Sequence, residues 1–151
     1  MAGYSGTPLA AKLGIKTGTA LLAVGAPADY RNLLAPVPDG VAFASRLTAR
    51  IDLIHVFSTS RQKLGAFLGR ARRDMRDDAA IWVSWPKKAA AVPTDLTEDV
   101  VRELKRAYRL FFKSELNVSQ ARQRAETELK QIPEVVEFLR FFERSERGAV
   151  I

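Results

Sequence analysis

Two short runs of apolar and β-branched residues, IDLIHVFS at 51–58 and AIWVSW at 80–85, flank an amphipathic stretch at 60–76. In that stretch Leu64, Phe67, Leu68, Ala71 and Met75 recur at i, i+3, i+4, i+7 and i+11, the apolar stripe of one α-helix. Strand, helix and strand in that order imply a parallel pair joined by a crossover. Two further runs, TALLAVGA at 19–26 and VAFAS at 41–45, extend the alternation upstream. A brief helix is expected at 29–35, among Pro27, Pro36, Pro38 and Gly40. Most runs are continuously apolar, the pattern of strands covered on both faces. The expected fold class is α/β: a Rossmann-like, mainly parallel sheet of about four strands. Residues 19–26, 51–58 and 80–85 should be buried neighbours in it.

After Pro93 the strands stop. Asp95 with Glu98 predicts a capping-box start, and Val100, Leu104, Tyr108 and Phe111 form the stripe of a helix running to about residue 114. Asn117 with Gln120 predicts a second helix over 118–131. Pro133 opens a third, with Val135, Phe138, Leu139 and Phe142 on one face and Gly148 at its end. The expected division is an α/β domain over 1–94 and an extension of three helices over 95–151.

Composition narrows the chemistry. The 151 residues include no cysteine and one histidine, which excludes disulfides, thiolate nucleophiles, zinc fingers and multi-histidine metal sites. No metal and no cofactor is expected. No apolar run approaches the roughly 20 residues that span a bilayer, and the N-terminus lacks the basic-then-apolar pattern of a signal peptide. The expected setting is cytoplasmic, away from membranes. The net charge of +7 is spread along the chain: 14 basic and 10 acidic residues up to Glu103, 10 and 7 beyond it. Such a field favours anionic partners without choosing among them.

Open parallel sheets bind ligands beyond the carboxyl ends of their strands. The residues falling there are Gly25 after the first run, Ser58 after the third, and Trp85, Lys87 and Lys88 after the fourth. Gly25 is followed by Ala26 and Pro27, so the glycine-rich phosphate turn is absent. Residues 58–60 read first as a helix cap. The two lysines beside an indole can take a phosphate or acidic ligand. The competing reading packs Trp82 and Trp85 in the core and leaves the lysines solvated. His55, between Ile54 and Val56, reads as a core histidine, and no catalytic residue stands out.

Arg102, Lys105, Arg106, Arg109 and Lys113 recur at i, i+3, i+4, i+7 and i+11, opposite Leu104 and Phe111. Such a stripe can dock an acidic helix; the competing reading is a solvated face. Aromatics do not interleave with it as stacking platforms, so nucleic acid is not expected. Phe111, Phe112, Phe138, Phe141 and Phe142 exceed what short helices hide, which predicts a homo-oligomer through the C-terminal helices.

Two family resemblances meet near residue 104. MAGYSGTPLAAKLGIKTG, Ala26-Pro27 and WVSWPKKAAAVPTDLTEDVVRE at 82–103 resemble the small bacterial DUF3052 family, which is uncharacterised. That resemblance implies a compact Rossmann-like α/β fold, normally continued by further strands with a Trp-containing segment that this chain does not show. LKRAYRLFFKSELNVSQARQRAETEL followed by PEVVEFLRFFERSERG is similar to the C-terminal helical domain of UDP-N-acetylglucosamine acyltransferases, with Glu115 where the turn usually carries glycine. The resemblance implies basic helices that help contact acyl carrier protein. That family's catalytic histidine and hexapeptide-repeat β-helix have no counterpart here. The leading expectation is a non-catalytic binding or interaction module, a fusion of two family fragments. The alternative is a domain binding a nucleotide or methyl donor, methyltransferase-like in kind.

Overall fold

The computed structural model describes residues 6–140 except Glu134 and Glu137, with the backbone alone at Lys88 and Phe112. The chain gathers into two compact units that alternate along it. The first comprises residues up to 57 and 75–84; the second comprises 58–74 and the residues from 85 onward.

The first unit is a four-stranded sheet. Its strands are β1 (Ala20–Val24), β2 (Ala42–Ala44), β3 (Leu53–Phe57) and β4 (Ala80–Ser84), all parallel, in the order β2-β1-β3-β4. The predicted strands and their α/β setting are thus present, with β3 beside both β1 and β4. Side chains alternate between faces along a strand. The register therefore sets Ala23, His55 and Trp82 side by side on one face, with Leu21, Leu53 and Phe57. Two four-residue helices, α1 (Leu9–Lys12) and α2 (Tyr30–Leu33), cover that face, and Leu13, Ile15, Leu21, Tyr30, Leu34 and Leu53 are buried beneath them.

Asp52 pins the amino ends of three strands. Its carboxylate accepts the Ala20 N–H at 2.7 Å and pairs with Arg76, while its own N–H donates to the Ala20 carbonyl and its carbonyl accepts from Ala80. The Ala20 N–H first, and then Arg76, hold its acid well below the usual carboxylate range.

Two features of this unit depart from the sequence reading. α1 was not anticipated: four residues are too few to show a helical period. β4 is not buried, because it is the outermost strand, and Trp82 at its centre is 44% exposed where a core position had been one reading.

The second unit is helical. α3 (Arg61–Asp74) buries Leu64, Phe67, Leu68 and Ala71, the predicted stripe, and packs against α4 (Glu98–Phe112), which in turn packs against α5 (Val118–Glu128). Every described residue over 133–140 is helical as well. Asn117 and Gln120 form the predicted capping box on α5. The predicted box on α4 is corrected: its cap is Thr97, whose hydroxyl accepts the Val100 N–H. Asp95 is drawn instead to α3, where Oδ1 accepts the Arg61 N–H at 2.7 Å. Thr97→Ala should therefore cost about 1 kcal/mol, read as a lower urea midpoint, and leave the circular dichroism spectrum intact.

Phe111 (4% exposed) and Phe138 (fully buried) meet edge to face with centroids 5.4 Å apart. That removes two of the five aromatics from the argument for an interface. Phe141, Phe142, Gly148 and the Phe112 side chain lie outside the described residues.

Candidate functional site

In the first unit His55 is 2% exposed yet fully hydrogen-bonded. Its Nδ1 lies 2.9 Å from the Tyr30 hydroxyl and its Nε2 lies 2.7 Å from Ser84 Oγ. A neutral imidazole offers one donor and one acceptor, and a hydroxyl can take either role, so both tautomers satisfy the three groups. The ring also packs against Phe57, centroids 4.2 Å apart, with Tyr30 edge-on at 5.5 Å. Burial pushes the His55 pKa down to about 4 and the Tyr30 pKa up to about 12, so both are neutral at pH 7. A base of so low a proton affinity orients Ser84 without drawing its proton. Both hydroxyl partners lie more than 20 residues away in sequence, so no local motif pointed to them.

Tyr30 also lines a cleft of about 430 Å³ at the carboxyl ends of β1 and β2, with Asp29, Arg31, Asn32 and Phe43. The Arg31 guanidinium lies over the Phe43 ring, 4.3 Å from its centroid. Gly25 is not in that lining. It adopts φ +67°, and a Cβ there would sit 2.5 Å from the Phe57 carbonyl oxygen, so β3 closes directly against this turn.

The remaining strand-end candidates belong to the second unit. Ser58 Oγ donates to the Ser60 carbonyl and accepts the Ser60 N–H. Ser60 Oγ accepts the Lys63 N–H, and with Asp95 on Arg61 the first turn of α3 is supplied by the chain's own groups. Trp85 is half-buried and Lys87 exposed; the Lys88 side chain lies outside the described residues. None of these lines either cavity described here.

The four basic residues of α4, Arg102, Lys105, Arg106 and Arg109, and Lys113 at its C-cap are all exposed. Arg102 is occupied by Glu98 and Asp99, at 3.3 and 3.0 Å. Arg106 pairs at 3.1 Å with Glu103, which is only 6% exposed and also accepts the Lys130 N–H at 3.3 Å. Lys105 and Arg109 have no ion-pair partner among the described residues. Arg106, Arg109 and Lys113 line a groove of about 390 Å³, with Leu110 on α4 and Glu128 and Leu129 at the end of α5. Three cations beside apolar carbons suit a ligand that is acidic and partly apolar. Arg102 and Lys105 are not in its lining. The α5 wall was missed in the sequence because it comes some twenty residues later; the signal was Glu103, an acid set among the bases of α4.

Among the described residues no helix is long and apolar enough to cross a membrane. Residues 94–150 match the family model described as UDP-N-acetylglucosamine O-acyltransferase, domain 2. A 52-residue stretch is 35% identical to the acyl-[acyl-carrier-protein]–UDP-N-acetylglucosamine O-acyltransferase of Thermodesulfovibrio yellowstonii. It amounts to 34% of this chain and spans only 20% of that relative's length. No solved structure matches the chain. The C-terminal helices, and the basic groove with them, are thus acyltransferase-like in sequence.

Proposed function

We propose that the protein is a non-catalytic binding module whose α4–α5 groove docks an acidic carrier protein, acyl carrier protein being the candidate. The observation that carries this reading is the groove itself: Arg109, which has no ion-pair partner among the described residues, flanked by Arg106 and Lys113 over Leu110 and Leu129, within the segment similar to the acyltransferases. The relative's name includes acyl carrier protein among what it acts on. In this reading residues 1–103 are a DUF3052-like α/β piece fused to those helices, working in the cytoplasm.

The test is a titration with holo-acyl carrier protein, and separately with DNA, at low and moderate salt. Carrier-protein binding should weaken as salt rises, because exposed charges are screened over about 8 Å at physiological ionic strength. Arg109→Glu should weaken it about tenfold, or about 1.4 kcal/mol, with little change in Tm. Arg106→Glu is the poorer probe. It places two carboxylates together at the nearly buried Glu103 and should also lower Tm. No carrier-protein binding at low salt, or binding indifferent to Arg109→Glu, would overturn the reading.

The cleft beside Tyr30 supports a second reading, a small-molecule domain for a nucleotide or methyl donor. It lies at strand carboxyl ends, where open parallel sheets hold ligands, and presents Asp29, Arg31 and Asn32. Native mass spectrometry of the purified protein should then show a retained nucleotide-like mass, absent from an Asp29→Ala/Arg31→Ala variant.

A further inference from the structure

The cleft beside Tyr30 is lined by polar side chains that the chain itself leaves unused. Asp29, Arg31 and Asn32 all belong to its lining. Among the described residues none of the three makes a side-chain hydrogen bond or ion pair. Asp29 stands at the N-cap of α2 without capping it. Asp29 and Arg31 are opposite in charge and two residues apart, yet they do not pair with each other. What holds Arg31 is Phe43, with the guanidinium 4.3 Å from the ring centroid. A guanidinium laid on a ring keeps its N–H edge for a second partner, and that planar fork matches a carboxylate through two parallel bonds.

The same lining suits a nucleobase or its phosphates poorly. A base needs an open ring on which to stack. Phe43 is covered by Arg31 and packs against the buried core. Tyr30 is 5% exposed and meets His55 and Phe57 edge to face, with centroids 5.5 Å apart in each case. Nucleotide cofactors in open parallel sheets bind where the strand order reverses, which here is between β1 and β3. That crevice is shut by the backbone of Gly25 against the Phe57 carbonyl. Ala23, Ala28 and Ala44 complete the cleft, small and apolar.

We propose that this cleft binds the head group of an α-amino acid, its carboxylate on the Arg31 fork and its ammonium on the Asp29 carboxylate. The ligand's side chain lies along the alanines, and the Asn32 amide, which both donates and accepts, serves either end. This rests on the small-molecule reading of the same cleft and narrows it to the end that a methyl donor shares with a free amino acid. A simple acid would be repelled by Asp29 and a simple amine by Arg31, so both charges are needed on one ligand.

Chemical-shift titration of the full chain with L-methionine tests this. L-Methionine should bind, and both N-acetyl-L-methionine and L-methionine amide should bind at least about tenfold more weakly, each having lost one charged end. Asp29→Asn should weaken L-methionine by a similar factor and leave the N-acetyl compound, which has no ammonium, unchanged. Arg31→Gln should weaken L-methionine likewise and leave the amide, which has no carboxylate, unchanged. Pairing each variant with one blocked ligand separates a lost contact from a lost fold. Tighter binding of S-adenosylmethionine than of L-methionine would assign the head group to a methyl donor, and weaker binding would assign it to a free amino acid. Blocked ligands that bind as well as L-methionine would overturn the proposal. Binding of adenosine monophosphate with neither amino-acid probe would overturn it and leave the small-molecule reading standing. Binding of no probe would overturn both.

Discussion

As pH falls from 6.5 toward 4, the protein should lose about 3 kcal/mol of folding stability, with the loss complete below about 4. The single histidine is the cause. Unfolded, His55 takes up its proton near 6.5; folded, it resists until about 4, because the ring is buried. Across that window the unfolded chain binds more protons, so stability rises with pH and falls on acidification, by about 1.4 kcal/mol per unit. Above 6.5 the histidine contributes no further change. Asp52, held low by Ala20 and Arg76, and Asp74, held low by Arg73, lose their contributions only below the usual carboxylate range. Urea denaturation at pH 7.5, 6, 5 and 4.5 should show the decline. His55→Gln should begin less stable, since Tyr30 and Ser84 lose a well-placed partner, and should then be nearly flat from 6.5 to 5. A variant as steep as the wild type there would remove His55 as the cause.

Gly25→Ala should be the most damaging alanine substitution among the described glycines with positive φ, at about 2–5 kcal/mol. Two terms add. A non-glycine residue at φ +67° costs about 1–2 kcal/mol. The new Cβ also meets the Phe57 carbonyl oxygen at 2.5 Å, and because that atom is backbone, β3 must shift to admit it; forced repacking typically costs about 1–3 kcal/mol. Gly14 supplies the control. It has a similar angle, φ +78°, with nothing within 4 Å of its added Cβ, so Gly14→Ala should cost about 1 kcal/mol. Thermal melts of the two variants side by side test the difference. Equal losses would show that the close approach of Gly25 to Phe57 carries no weight.

What the sequence revealed depended on range. The strands were legible because each is a compact apolar run, and α3, α4 and α5 because stripes and the Asn117 cap act within one or two turns. The edge position of β4 was not legible. AIWVSW is as apolar as a central strand, yet β4 ends the sheet of the described residues and Trp82 is exposed there. Asp95 was misplaced for a similar reason: its spacing to Glu98 is that of a cap, but a donor 34 residues earlier claims it. Of the candidate residues, the α4 bases were found by periodicity. Their division into occupied and unoccupied cations was not, because Glu98, Asp99 and Glu103 act through side-chain geometry. The Tyr30–His55–Ser84 relay joins residues of three elements and has no signature in spacing at all.

The alternation of the two units along the chain also bears on synthesis. α3 is made before β4, yet the helix it packs against, α4, ends at Phe112, about 38 residues after Asp74. At roughly 5–20 residues per second, the face carrying Leu64, Phe67 and Leu68 waits some two to eight seconds for its partner. During that interval the nascent chain displays an amphipathic helix to anything nearby that binds one. Yield in the cell is then set by how fast residues 75–112 arrive, and slow codons there should lower it without changing the stability of the finished protein.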